Sequence, residues 1–243
     1  MKKLNFINGG AVYIGKDVST NLHQHNAIQI VISFNQTFKI ITPHQIFEDC
    51  KFVIITENIQ HQFVGPLDEY QVFIYLDPLH RLSKLLKNIF SLNDNVILAD
   101  NYLSHIPLLK EWLEKDNNEI QEITKNIIEK ITNNLGVDTI KDNRILKSIE
   151  YLTYNINKSI KISEVADFVC LSESRFAHLF KLQVGIPFRR YILWLRIQKT
   201  LLSFLDGNSF TSASYDGGFT DISHFNRTFK EMFGNTPSAI LKS

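Results

Sequence analysis

The sequence predicts an α+β chain of two domains, and three observations carry that expectation. Short β-rich runs crowd the first 80 residues, a helical period takes over at Arg81, and from Asp142 onward every segment reads as helix with brief breaks. At 243 residues the chain is long enough for each part to bury its own core.

The strand region contains Ala11–Ile14, Ile28–Phe34, Thr37–Thr42, Phe52–Thr56, His61–Val64 and Tyr70–Leu76. Gly9-Gly10, Asn35-Gln36, Pro43, Glu57-Asn58 and Gly65-Pro66 punctuate these runs. Many short strands at close spacing predict a small sandwich or barrel over residues 1–80. Asp77-Pro78 ends it.

Arg81–Phe90 and Leu103–Lys115 read as helices. In Asn118–Leu135, the residues Ile120, Ile123, Ile127, Ile128, Ile131 and Leu135 recur at three- and four-residue steps, opposite Glu122, Lys125, Asn126, Glu129 and Lys130. Such a stripe either packs on its own domain or forms a dimer seam, and the sequence leaves both open. Gly136 is expected to end this helix, so that 81–136 form a helical connector and 137–141 a linker. The helices expected in 142–243 are Asn143–Asn155, Ser163–Val169, Glu173–Gln183, Phe188–Leu205, Thr211–Tyr215 and Asp221–Phe233. Ser163 is expected to cap the second of these and Ser172 the third. Gly185 and Gly234 stand where helices stop, each followed by a proline, Pro187 and Pro237.

Composition sets the class. With 44% hydrophobic and 21% charged residues and a net charge of +1, the chain reads as an ordinary soluble protein. No run of 18 apolar residues appears, so no membrane-spanning helix is expected. MKKLNFINGG has no long apolar stretch behind its lysines, so no signal peptide is expected. Cys50 and Cys170 lie far apart in no metal-like spacing, which suits a reducing cytoplasm and leaves a single disulfide open. The charge is uneven: residues 142–243 hold 13 Lys+Arg against 9 Asp+Glu, and residues 1–141 hold 13 against 16. A basic C-terminal part is what a polyanion-binding module needs.

An internal repeat gives that part its function. Phe176-Ala-His-Leu-Phe180-Lys181-Leu-Gln-Val-Gly185 and Phe225-Asn-Arg-Thr-Phe229-Lys230-Glu-Met-Phe-Gly234 share the frame F-x-x-x-F-K-x-x-x-G, offset by 49 residues. Each copy follows a short helix and tight turn, Glu164–Leu171 and Ser212–Phe219, which is the helix-turn-helix arrangement. Ala166 and Ser214 are the expected small residues at the helix crossings, and Cys170 and Gly218 the turn residues. Helical geometry sets Phe176, Leu179, Phe180 and Gln183 on one side of the first recognition helix, where the aromatics bury, and turns Ser174, Arg175, Ala177, His178 and Lys181 outward. In the second it buries Phe225, Phe229, Met232 and Phe233 and leaves Ile222, Ser223, Asn226, Arg227 and Lys230 outward. Arg pairs with guanine, Asn with adenine, and Lys neutralises phosphate, so both faces suit a DNA groove.

These residues closely resemble the DNA-binding domain of the AraC/XylS family of transcriptional regulators. The resemblance is carried by Val165-Ala166, Ser172, Phe176, Phe180-Lys181, Gly185, Pro187-Phe188, Tyr191, Arg196 and Leu201-Leu202, and by Gly218-Phe219, Asp221, Ser223, Phe225, Arg227, Phe229-Lys230, Gly234 and Thr236-Pro237-Ser238. It spans residues 142–243, and GFTDISHFNRTFKEMFGNTPS is its most specific stretch. Ala213-Ser214 departs from the more usual Ile-Ala pair. The resemblance implies that Phe188–Leu205 joins two reading heads that enter successive major-groove segments about 34 Å apart. It places Ser174, Ala177 and His178, then Ile222, Ser223 and Arg227, at base-reading positions. Ala177 can meet only a thymine methyl, so specificity is expected to lean on the downstream helix and anchoring on the upstream one.

In the N-terminal part, His23-Gln24-His25, Gln29 and His61 resemble the cupin metal pattern of H-x-H, a glutamate and a later histidine. Regulators of this family often carry a cupin-like barrel as sensor, so the resemblance implies one over residues 1–80. The pattern's carboxylate is Gln29 here, and its glycine is absent from Ser33–Gln36. Three readings stand: histidines with hydrogen-bonding roles only, an effector site formed by His23, His25, Gln29 and His61, or a metal held by three histidines. The favoured expectation is an effector-responsive activator with no metal or other cofactor and no catalytic residues. Double-stranded DNA, RNA polymerase and a small-molecule effector are its expected partners, with homodimerisation possible and no membrane contact. The alternatives are a metal-dependent cupin enzyme with an accessory DNA-binding domain, and an RNA- or protein-binding adaptor.

Overall fold

Residue-by-residue alternation fails in Ile28–Ser33, where all six residues are buried, and the layering around this strand explains why. The computed structural model describes residues 3–90, 95–132, 142–234 and 236–238. They fall into a first unit, Met1–Val137 with Lys230–Ser243, and a second unit, Asp138–Phe229.

The first unit holds two antiparallel sheets. Strands β1 (Lys3–Ile7), β2 (Gly10–Lys16), β3 (Ile28–Ser33), β6 (Phe52–Ile55), β8 (Tyr70–Leu76) and β9 (Val96–Leu98) form one, in the order β1-β2-β8-β3-β6-β9. Strands β4 (Phe38–Ile41), β5 (Ile46–Cys50) and β7 (Gln62–Val64) form the other, in the order β5-β4-β7. On one face of the larger sheet, Ile28, Ile30, Ile32, Ile54 and Ile74 share a core with helices α1 (Arg81–Phe90), α2 (Leu109–Glu114) and α3 (Asn117–Ile131). On the other, Phe73 meets Phe63 of the smaller sheet at 5.0 Å, and Phe63 in turn meets Phe38 of that sheet at 5.1 Å. A strand covered on both faces has no solvent side, so all its residues are buried, the polar Gln29 and Ser33 included.

The α3 stripe is spent on this core: Ile120, Ile128 and Ile131 are fully buried and Ile127 nearly so. Each such side chain contributes about 1.5–3 kcal/mol of transfer free energy. Asp116 and Glu119 start α3 as a reciprocal capping box, with Asp116 accepting from the Glu119 N–H at 2.9 Å and Glu119 from the Asp116 N–H at 3.0 Å. Helices α1, α2 and α3 thus share the core of the strand region, and β9 pairs with β6.

Three strands escape the sequence reading: β1, β5 and β9. Strand β5 has four of its five side chains partly or fully exposed, so it lacks an apolar face to announce it. The helix expected over Leu103–Lys115 is broken, with a 3-10 turn at Asp100–His105 and α2 beginning only at Leu109. Pro107 is the cause, because it forces the preceding Ile106 into extended backbone (φ −88°, ψ 126°). Leu135, Gly136 and the 137–141 linker lie outside the described residues. Among the described residues no helix is long and apolar enough to cross a membrane. Cys50, buried, and Cys170, exposed, are free thiols.

The second unit is helical: α4 (Asn143–Asn155), α5 (Ile162–Phe168), α6 (Glu173–Val184), α7 (Phe188–Leu205), α8 (Phe210–Asp216) and α9 (Ile222–Phe233), whose last four residues count with the first unit. Ser172 caps α6 through Arg175 N–H, as expected. Ser163 does not cap α5: Lys161 stands at that position without a side-chain bond, and Ser163 falls inside the first turn.

Candidate nucleic-acid interface and histidine cluster

Each helix-turn-helix copy is organised around phenylalanines. In the upstream copy (α5, α6), Phe176 and Phe180 are fully buried and meet Phe188 of α7 at 5.6 Å each. In the downstream copy (α8, α9), Phe225 meets Phe219 at 5.3 Å and Phe229 at 5.8 Å. The crossing residues Ala166 and Ser214 are both fully buried. Ser214 adds a hydroxyl to the Cβ of the more usual alanine, and that hydroxyl donates to Thr211 O at 2.8 Å, so the departure leaves no orphaned polar atom. The turns close alike, with Leu171 N–H donating to Ala166 O at 2.9 Å and Phe219 N–H to Ser214 O at 3.0 Å.

With the aromatics inside, the opposite faces are left to solvent. Ser174, Arg175, His178 and Lys181 are exposed, with Ala177 half-buried; Ser223, Arg227 and Lys230 are exposed, with Ile222 and Asn226 half-buried. All ten residues singled out from the sequence therefore stand on the faces expected of them. The copies differ in their turns, because the downstream one carries one more residue between turn and helix. Asp221 caps α9 there, accepting from His224 N–H at 2.8 Å, which draws its carboxyl below the usual range.

In the first unit, the four polar residues read from the sequence converge. His23 and His61 exchange backbone hydrogen bonds, His23 N–H to His61 O at 2.9 Å and His61 N–H to His23 O at 2.8 Å. This isolated bridge, rather than a regular strand, brings H-x-H to the later histidine. The rings of His23 and His61 lie 4.5 Å apart and those of His25 and His61 5.1 Å apart. Gln29, on β3, points its Oε1 to within 2.6 Å of His25 Nε2 and 3.2 Å of His61 Nε2. His25, His61 and Gln29 are buried and His23 is partly so. Burial disfavours the imidazolium form, pushing His25 down to about 4 and His61 to about 3, and lowering His23 as well. Tyr75, directly across from Gln29 on β8, sets its ring edge-on to His25 at 5.6 Å. Nothing in its own sequence neighbourhood marks Tyr75 as part of the cluster; strand register alone puts it there.

The comparisons with known proteins agree with the architecture of the helical part. Residues 165–243 match the family model described as a helix-turn-helix domain. The arabinose operon regulatory protein of Escherichia coli is 34% identical over 99 residues, covering 40% of this chain and 34% of that protein. An uncharacterized HTH-type transcriptional regulator of Staphylococcus aureus is 26% identical over 100 residues, 40% of this chain and 13% of its own length. The chain thus spans about a third or less of the relatives it matches. Among solved structures, ToxT from Vibrio cholerae superposes with a TM-score of 0.51 at 15% identity, covering 98% of this chain and 96% of that one. This likeness concerns the fold: a β-rich N-terminal part and a helical C-terminal part. Residues 165–243 are thus a helix-turn-helix domain by their family match, similar in sequence to part of the arabinose operon regulatory protein.

Proposed function

We propose that this chain is a sequence-specific DNA-binding transcriptional regulator of the AraC type, an activator whose N-terminal part senses a small effector. The observation that carries the reading is the pair of recognition helices, each with phenylalanines buried on one side and a polar, basic side left exposed. One such face is ordinary for an amphipathic helix. Two copies that repeat the cap, the left-handed turn and the exposed basic residues form a reader of two successive grooves. Ser174, Arg175, Ala177, His178 and Lys181 meet DNA from the upstream copy, and Ile222, Ser223, Asn226, Arg227 and Lys230 from the downstream one. RNA polymerase is the natural partner of an activator, and the cytoplasm the compartment where both it and chromosomal DNA are reached.

In this reading residues 1–80 form a cupin-like sensor barrel on which α1, α2 and α3 pack, and 142–243 form the DNA-binding domain. The effector site is the cluster of His23, His25, Gln29 and His61. A cupin enzyme is not favoured, because the carboxylate of the metal pattern is replaced here by the amide of Gln29. Fluorescence anisotropy with duplex DNA from upstream of the chain's own gene, over a salt series, tests the proposal. Retention of a preferred duplex against excess unrelated duplex and against RNA is expected. Equal affinity for RNA and for every duplex would overturn it.

A further inference from the structure

We propose that His23, His25 and His61, with Gln29 beside them, bind a divalent transition-metal ion, which makes that ion the ligand of the sensor part. The inference deepens the effector reading above and is independent of the DNA-reading half. It starts from convergence: one ring nitrogen of each histidine lies within 4.8 Å of the others, although His61 is 36 residues beyond His25. An ion holding three nitrogens at about 2.1 Å in tetrahedral geometry sets them about 3.4 Å apart. Small rotations of the imidazoles supply that contraction.

The second observation is tautomeric. His23 Nδ1 lies 2.8 Å from Asn21 O, His25 Nδ1 3.0 Å from Ala27 O, and His61 Nδ1 2.8 Å from Ile59 O. A carbonyl oxygen can only accept, so each Nδ1 carries the proton and each neutral ring presents a bare lone pair at Nε2. Histidines that ligate metals are oriented in this same way, with the far nitrogen donating to a carbonyl. Gln29 Oε1, also an acceptor, then faces two of these lone pairs at 2.6 and 3.2 Å. Acceptors meeting acceptors in a buried site require either a cation among them or an amide turned to donate its NH2 to both rings. The convergence of a third imidazole, His23, which Gln29 does not touch, favours the cation.

The third observation is rigidity. The two-way backbone bridge between His23 and His61, and the Asn58 N–H donated to His25 O at 2.8 Å, hold the three donors in place. Within this same unit, Asn26 N–H donates to Glu231 O at 2.8 Å, and a Cβ at Gly234 (φ 79°) would overlap the His23 ring. A glycine is thus required beside the cluster. The donors are imidazoles and an amide with no carboxylate, which suits zinc, copper, nickel, cobalt or iron(II) and disfavours calcium and magnesium.

The test uses the full-length chain, stripped with a chelator and titrated with Co(II) in the absence of DNA. One equivalent should bind, with visible d–d absorption that added Zn(II) abolishes. His61→Ala and His25→Ala should each weaken binding at least tenfold, whereas His44→Gln, at an exposed position outside the cluster, should leave it unchanged. Gln29→Glu supplies a carboxylate and should tighten binding, which keeps the test decisive even if a histidine variant folds poorly. No stoichiometric uptake, or uptake indifferent to both His61→Ala and Gln29→Glu, overturns the proposal and favours the turned amide. Because uptake is read without DNA, its failure leaves the DNA-reading proposal standing, and loss of DNA binding leaves this one standing.

Discussion

The first unit buries His25, His61 and His80 almost completely, whereas in the second unit His178 is exposed and His224 half-buried. Polar chemistry in the first unit therefore lies inside, shielded from water. In the second it lies outside, on the faces of α6 and α9, while phenylalanines fill the interior. A site meant to enclose a small ligand and a site meant to meet a large polyanion impose opposite placements on the same kinds of residue. The two parts of the chain show both.

The largest expected difference between the units is their response to acid. Burial pushes His80 down to about 3, below its value of about 6.5 in an unfolded chain. Below pH 6.5 the unfolded state takes up a proton that the folded state refuses. The contribution is complete above that pH and is lost progressively as pH falls toward the folded value. The cost at pH 4.5 is roughly 2–3 kcal/mol in the first unit, with no counterpart from a buried histidine in the second. Each unit has one tryptophan, Trp112 and Trp194. Denaturant titrations on Trp112→Phe and Trp194→Phe variants should show the first unit losing stability first, and His80→Gln should remove part of that loss. Parallel loss in both units would break the contrast.

A smaller difference separates the two copies of the repeat. Their turn residues are both left-handed, Cys170 at φ 55° and Gly218 at φ 82°. At Gly218 a Cβ would also press on the Ile156 carbonyl. Gly218→Ala should therefore cost about 1–3 kcal/mol. Cys170→Gly, which relieves an L-residue of about 1–2 kcal/mol of left-handed strain at the entropic cost of a glycine, should gain about 0.5 kcal/mol. Thermal unfolding checks both signs, and a stabilising Gly218→Ala would show the copies to be closed differently from what their shared backbone bonds indicate.

Much of this was legible in the sequence, for reasons that can be located. The bounds of α4 and α7 follow from capping and breaking residues, since Asp142 caps the former and Pro187 opens the latter. The outward faces of α6 and α9 follow from phenylalanine spacing alone. The edge strands β1, β5 and β9 were not legible, because none alternates: β5 is mostly exposed, β9 has only three residues, and Asn5, Phe6 and Ile7 of β1 are all buried. The split in Leu103–Lys115 was written in Pro107, yet the apolar spacing on either side outweighed it. For the histidine cluster the sequence names the donors but not their tautomers, nor Tyr75 and Gly234 beside them. Backbone carbonyls and strand register have no signature in residue type.

The central claim is that the exposed faces of α6 and α9 read and grip DNA in unequal shares. Anisotropy titrations of Arg227→Ala and Lys181→Ala against specific and unrelated duplexes test it most directly. Arg227→Ala should cost about 1–3 kcal/mol on the specific duplex and little on the unrelated one. Lys181→Ala should weaken both about equally and lower the salt slope by about 1. If both variants bind both duplexes as the unaltered chain does, these faces do not contact DNA and the account is wrong.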